Sequence, residues 1–448
     1  MNDFGFIKSL THQENKFQSF DEFLNWYENT KTKNQFNVER LELEKLNLWK
    51  FNKETGNIEH DSGKFFKIRG LRVSVIDKDK KNSWDQPIID QPESGILGFI
   101  TKVFNGVRYF LVQAKMEPGN INTIQISPTV QATKSNYTKA HKGKTPLYLD
   151  YFTDPNKAKK IFAYLQPEQG ARFLYKKNNN IIIHVDEDVE VYENFKWLTL
   201  FEIKKLLKHK NIVNMDTRTI ISCIDYFKED LNTFWQEGSF FKNCLIDKYQ
   251  NIDKCLKKRK ELISQIGFKA KTIELNIIKK WQKNAWEINH STKQYFKVIG
   301  VRINSSNREV NYWDQPMFQD IGIGLVGLIA KKDKKKGMQF LIQLKVESGN
   351  NDCIHFAPTV SLSNYINNSA PYKTYFTSDS QKTIYNQLLS EEGGRFYQTE
   401  NRYIIVEINK EIRLQKGFIW LNYGQIIELI KLGLCNIELR SLVSTFPL

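Results

Sequence analysis

The 448-residue chain is short of the residues that staple a fold covalently or through metal. Five cysteines, an odd number without a C-x-x-C spacing, argue against both a disulfide framework and a zinc site. The seven histidines are scattered, with none paired at metal-ligand spacing, so no metal is expected. Long apolar runs are scarce too. "IGIGLVGLIA" at 321–330 is about half the length a bilayer crossing needs and ends in "KKDKKK", so it reads as a buried strand followed by a basic turn. The opening "MNDFGFIKSL" lacks a basic region, apolar core and small-residue cleavage site in series, which predicts no secretory signal and a cytoplasmic protein. No G-x-G-x-x-G or G-x-x-x-x-G-K-[ST] string follows a strand, so neither a dinucleotide cofactor nor a P-loop is supported, and no cofactor is expected.

What is abundant is positive charge. A formal charge of +16 invites a polynucleotide partner, because clustered cations release counterions from a phosphate backbone. Much of the lysine, however, sits in short runs such as "KDKK" and "KKRK" that suit solvated turns, and a small anionic ligand satisfies the same charge. A nucleic-acid-binding protein therefore stays as a competing class rather than the leading one.

The chain is also written twice. "WDQP" at 84–87 returns at 313–316, "FFKIRGLRV" (65–73) returns as "YFKVIGVRI" (295–303), and "QAKMEPGN" (113–120) as "QLKVESGN" (343–350). "EQGARF" at 168 matches "EEGGRF" at 391, "FKWL" at 195 matches "FIWL" at 418, and "NMDTR" at 214 matches "NIELR" at 436. An ordered series of this kind predicts a duplicated domain: an N-terminal repeat over 1–226, a helical linker over 227–267 and a C-terminal repeat over 268–448. Within each repeat, short β-branched and aromatic runs such as "GILGFITKV" and "NNIIIHV" predict strands. Helical periodicity shows in "VERLELEKLNLW", "LTLFEIKKLLKHKNIVN" and "IWLNYGQIIELIKLGLCN", giving an α+β domain with a mixed or antiparallel sheet flanked by helices.

Polar residues that recur at strand ends are the candidates for chemistry. Gln113, Lys115 and Glu117 alternate, so an extended strand turns all three to one side, where a row of amide, cation and carboxylate lines solvent or a polar pocket. Asn120 lies in the turn that follows. "PTVQATKSNY" sets Thr129, Gln131, Thr133, Ser135 and Tyr137 in the same alternation, suited to a hydroxylated or phosphorylated ligand, with Asn136 beside them. Glu168 and Arg172 flank a Gly-Ala turn, and arginine binds phosphate oxygens through a planar fork. Trp84 and Gln86 are candidates to shape the pocket. A second pocket is expected from Trp313, Gln315, Lys345, Glu347, Asn350, Tyr365 and Arg395. No Ser-His-Asp or Cys-His pairing is suggested.

The doubled set "WDQP", "EPGN", "PTVQATKSNY", "EQGARF", "FKWLTL" and "NMDTR" resembles the NDP-hexose 2,3-dehydratase family over nearly the whole chain. The resemblance implies a duplicated fold related to Nudix hydrolases, a homodimer, a nucleotide-linked 4-keto-6-deoxyhexose as substrate (usually the dTDP form) and a separate 3-ketoreductase for the product. It implies elimination of water: a base removes the C3 hydrogen, acidified by the C4 ketone, and the C2 hydroxyl leaves. By residue type, Tyr137 or Glu117 is the candidate base, Lys115 or Ser135 the donor toward O4, and Glu168 the acid, while Arg172 and Arg218 would hold the diphosphate. The first copy is favoured for catalysis, since the second reads "ESGN" for "EPGN" and loses Gln131. The Nudix box is not present, which weakens a metal-dependent sugar-nucleotide pyrophosphohydrolase as the alternative.

Overall fold

A computed structural model describes the chain except for residues 1–4, 78–79, 134–144, 230–238, 248, 307–309, 334–335, 351–352, 364–368 and 379–380. Each half contains a mixed seven-stranded sheet. In the first, the path runs Lys159–Pro167, Lys177–His184, Gly95–Phe104, Val107–Met116, Phe195–Leu198, with a parallel pair between Lys177–His184 and Gly95–Phe104. The second half repeats that path from Lys382–Ser390 to Phe418–Asn422. The strand Val107–Met116 shows why the sheet is sandwiched: Phe110, Val112, Ala114 and Met116 enter one apolar cluster while Val107, Tyr109 and Leu111 enter another. Helices close one face. Thr199 caps Leu200–Leu206 in a reciprocal box with Glu202, Asn214 caps Met215–Ile221, and Asn436 caps Ile437–Ser444.

Two further sheets join the halves by exchange. The strand Phe36–Leu41, at the start of the first repeat, pairs antiparallel with Phe296–Ser305 of the second. Reciprocally, Ile266–Ile273, at the start of the second repeat, pairs with Lys67–Asp77 of the first. This corrects the helical reading of "VERLELEKLNLW": the stretch forms that exchanged strand and a short 3-10 turn, Leu43–Lys45. Leucine and glutamate favour helices, but cross-strand pairing with the other half outweighs propensity. A cluster shared by both repeats, including Leu43, Trp49 and Ile68 with Leu275, Ile288 and Val298, seals the joint. Each such side chain stabilises by about 1.5–3 kcal/mol when fully buried. Between the repeats lie a short helix, Phe240–Cys244, and an amphipathic one, Asp253–Gln265.

The repeated strings turn out to be the fittings of this joint. Asp85 takes both Arg72 Nε (2.9 Å) and Nη2 (2.8 Å), and accepts the Lys279 backbone N–H of the other repeat at 2.9 Å. Asp314 does the same with Arg302 (3.0 Å twice) and the Asn47 N–H (2.8 Å). Trp49 and Trp281 each donate an indole N–H to the backbone carbonyl of the opposite aspartate, Asp314 and Asp85. The turns interlock as well: Gly119 N donates to Gly393 O, and Gly349 N to Gly170 O. Glycine is required at 119, where a Cβ would run into the Phe396 carbonyl. Among the described residues no helix is long and apolar enough to cross a membrane.

Candidate active site

A cavity of about 450 Å³ opens at the joint. The first repeat supplies the strand end with Lys115 and Glu117, the turn residues Glu168 and Lys176, Asn178 from the strand Lys177–His184, and Asp216 from the helix Met215–Ile221. The second repeat supplies Trp313, Gln315, Glu392 and Arg395. The period-two alternation of "QAKME" does what an extended strand dictates, turning Lys115 and Glu117 the same way, 3.7 Å apart. Gln131 then donates its amide to Glu117 at 2.8 Å and accepts from Asn214, the cap of the Asp216 helix, at 3.3 Å. Base candidate and helix terminus are thus tied by one amide bridge.

The electrostatics are dominated by four carboxylates around one space: Glu117, Glu168, Asp216 and Glu392. Burial, with the neighbouring Glu392, Glu168 and Glu117, pushes the Asp216 carboxyl well above the usual range. Burial and Glu117 raise Glu392 to about 7, against the pull of Arg395. Burial raises Glu168 too, opposed by Arg440, Lys176 and a 2.6 Å amide bond from Asn178. Burial pushes Lys176 down, and its ammonium donates to Glu93 O. Like charges crowded in a poorly solvated space cannot all ionise, so the cavity holds carboxyl and carboxylate side by side near neutral pH. Among the described residues no group of three or more His, Cys, Asp or Glu side chains is placed to hold a metal ion.

The structure regroups the residues singled out in the sequence. Lys115, Glu117, Gln131, Thr133 and Glu168 meet in the cavity, joined by Trp313, Gln315 and Arg395 from the set assigned to the second pocket. Trp84, Gln86 and Arg172 do not line it. Trp84 donates to Gln86, Gln86 holds the Ala171 carbonyl, and Arg172 pairs with Asp320 at 2.9 Å over the Phe296 ring. The pseudo-equivalent Arg395 meets the neutral Gln91 instead, at 3.2 Å, over the Phe66 ring. Among the described residues no carboxylate forms a salt bridge with this arginine, which stands at the cavity wall. Glu347 and Lys345 sit 3.4 Å apart on the opposite side of the joint, where Glu347 accepts from Asn436, while Asn350 packs against Gly170.

Three assignments need correction on physical grounds. Arg218 is fully buried and donates to Ser390 O, so it cannot reach a diphosphate. Thr129 is spent within the sheet, accepting from Ile100 N and donating to Leu111 O. Asn120 donates to Lys115 O and Thr123 O and packs against Gly393, which makes it part of the interlocked turn. Ser135, Asn136, Tyr137 and Tyr365 lie outside the described residues. Sequence reading missed Asp216, Lys176 and Glu392. The signal for Asp216 was present: "NMDTR" recurs as "NIELR" with an acid in the same place, Glu438.

A duplicated α+β scaffold whose halves share one acid–base cavity is the class that the fold and site define. The chain belongs to the NDP-hexose 2,3-dehydratase family, whose sequence profile matches residues 20–224 and 251–446. It is 37% identical over 98% of its length to a dTDP-4-dehydro-6-deoxy-alpha-D-glucopyranose 2,3-dehydratase of Saccharopolyspora spinosa, covering 94% of that protein. Proteins with the same name from Amycolatopsis orientalis and Streptomyces violaceoruber are 36% and 34% identical over 94% of this chain, with 88% and 95% of their own lengths covered.

Proposed function

We propose that this chain eliminates water from a dTDP-linked 4-keto-6-deoxyglucose, taking the C3 proton and the C2 hydroxyl to leave a 3,4-diketo-2,6-dideoxy sugar. The reaction makes it a hydro-lyase. The observation that carries the reading is the composite cavity, in which a lysine-paired carboxylate, further carboxyl groups and an arginine converge. Glu117 takes the C3 proton. The Lys115 ammonium stabilises the negative charge that develops on O4, a placement worth most where water is excluded. The electron pair from C3–H enters the C3–C4 bond as an enolate. Its collapse re-forms the C4 carbonyl, makes the C2–C3 double bond and releases the C2 oxygen as water. The resulting C3 enol becomes a ketone when C2 takes up a proton. Arg395 holds a diphosphate oxygen, the role the sequence suggests for Arg172 and Arg218, and the Trp313 ring covers the nucleotide sugar. The same reading includes cytoplasmic homodimers, descent of each half from a Nudix-type domain, and a 3-ketoreductase that consumes the product.

The test is incubation of the protein with dTDP-4-keto-6-deoxyglucose in D2O, followed by NMR with a 3-ketoreductase present. Deuterium at C2 of a 2-deoxy product is expected. Glu117→Gln should lower turnover on the order of 10²–10⁴-fold, the usual contribution of a positioned base, and Glu347→Gln should leave turnover close to wild type. Loss of turnover through Glu347→Gln alone would refute the placement. Tyr137→Phe tests the other candidate base.

A further inference from the structure

Leaving as water rather than hydroxide requires a proton for the C2 oxygen, and the sequence offers Glu168 for that task. In the structure Glu168 is occupied: Asn178 donates to it, and the positive charges of Arg440 and Lys176 act on it. Asp216 is placed differently. It is 2% exposed and lines the cavity, and among the described residues no hydrogen bond or ion pair engages its carboxyl group. A buried carboxyl without a partner is costly unless it carries its proton or meets a ligand. Its position is fixed by the Asn214 cap, which Gln131 ties to Glu117.

We propose that Asp216 is the proton donor to the departing C2 hydroxyl, and that Glu392, which the second repeat contributes to the same cavity, tunes it for that role. This rests on the dehydratase reading above. In the elimination Glu117 gains the C3 proton while Asp216 gives its own to the C2 oxygen. Loss of the O3 proton from the enol restores Asp216, and proton uptake at C2 restores Glu117, so the cycle closes with one water released.

The groups that face Asp216 come from each neighbouring element. Glu392 lies in the turn after Lys382–Ser390, Glu168 in the turn after Lys159–Pro167, and Lys115 and Glu117 at the end of Val107–Met116. Burial first, and then three acidic neighbours against one ammonium, keep the proton on Asp216 at pH values where an ordinary aspartate has lost it. On its own helix, Arg218 is turned away to Ser390 O. The other side of the joint lacks this arrangement: the position of Glu392 is held there by Gln169, whose amide donates to Glu391. Glu392 is accordingly a positioning residue, and Asp216 the group that meets substrate.

Two variants of the full-length protein test the assignment. Asp216→Asn should lower elimination by about 10²-fold or more yet keep exchange of the C3 hydrogen with D2O, since Glu117 still forms the enolate. Glu392→Gln should move the alkaline limb of the kcat/KM profile down by about one pH unit, because an ionised neighbour no longer holds the proton on Asp216. Wild-type turnover tests the dehydratase reading by itself. If that turnover is present, loss of exchange together with elimination in Asp216→Asn, or an unmoved alkaline limb in Glu392→Gln, overturns the proposal.

Discussion

Asp314→Ala and its mirror Asp85→Ala separate the two jobs of the joint. The Asp314 carboxylate is fully enclosed and accepts the Asn47 N–H at 2.8 Å and two bonds from Arg302. Deleting it removes the acceptor of a part-buried backbone N–H, which costs about 1–3 kcal/mol. The guanidinium, about a third open to solvent, finds water and adds little. Asp85 makes the same set of bonds with Arg72 and the Lys279 N–H, so about 2 kcal/mol is expected from either variant. The consequences for catalysis differ. Asn47, Leu48 and Trp49, the segment that Asp314 holds, line the cavity, whereas Lys279 and Trp281 lie across the joint. Urea denaturation should therefore give similar losses of stability, and steady-state kinetics should show a several-fold higher KM for Asp314→Ala alone. Equal KM changes, or an unchanged denaturation midpoint in both, would refute the reasoning.

Two further outcomes follow from burial. Burial, with Glu438 beside it, raises Glu391 from 4.5 to about 8. The folded protein therefore keeps a proton that the unfolded chain releases, and stability falls as pH climbs from about 4.5 to about 8. Glu391→Gln removes that titration, so its melting temperature should decline less between pH 5 and pH 8 than that of wild type; parallel declines would count against it. No disulfide joins any of the five cysteines, and Cys223, Cys244, Cys255 and Cys435 are buried with thiols pushed up by burial, Cys223 to about 12. A thiol reagent should label the native protein at half-buried Cys353, and Cys353→Ser should abolish native-state labelling.

The duplication was legible because its letters are held by contacts that must be made twice. The Asp of WDQP clasps the opposite repeat, and the glycines of "EPGN" and "EQGARF" meet where no side chain fits. Strand alternation also carried Lys115 and Glu117 to one side. What a linear reading cannot supply is the partner across the joint. Trp313, Gln315 and Arg395 read as a separate pocket because they follow the first set by more than two hundred residues, yet exchange brings them to Glu117. By residue type Arg218 reads as a phosphate ligand, while the aspartate two places before it carries no such mark. Burial decides between them, and burial of a polar residue has no sequence signature.

The reciprocal strands also constrain how the molecule is made. A ribosome delivers Phe36–Leu41 long before Phe296–Ser305 exists to receive it, so that edge waits unpaired through most of synthesis. Cutting the gene between the halves would leave each fragment carrying a strand that belongs to the other. Such fragments could regain the native sheets only by embracing as a pair.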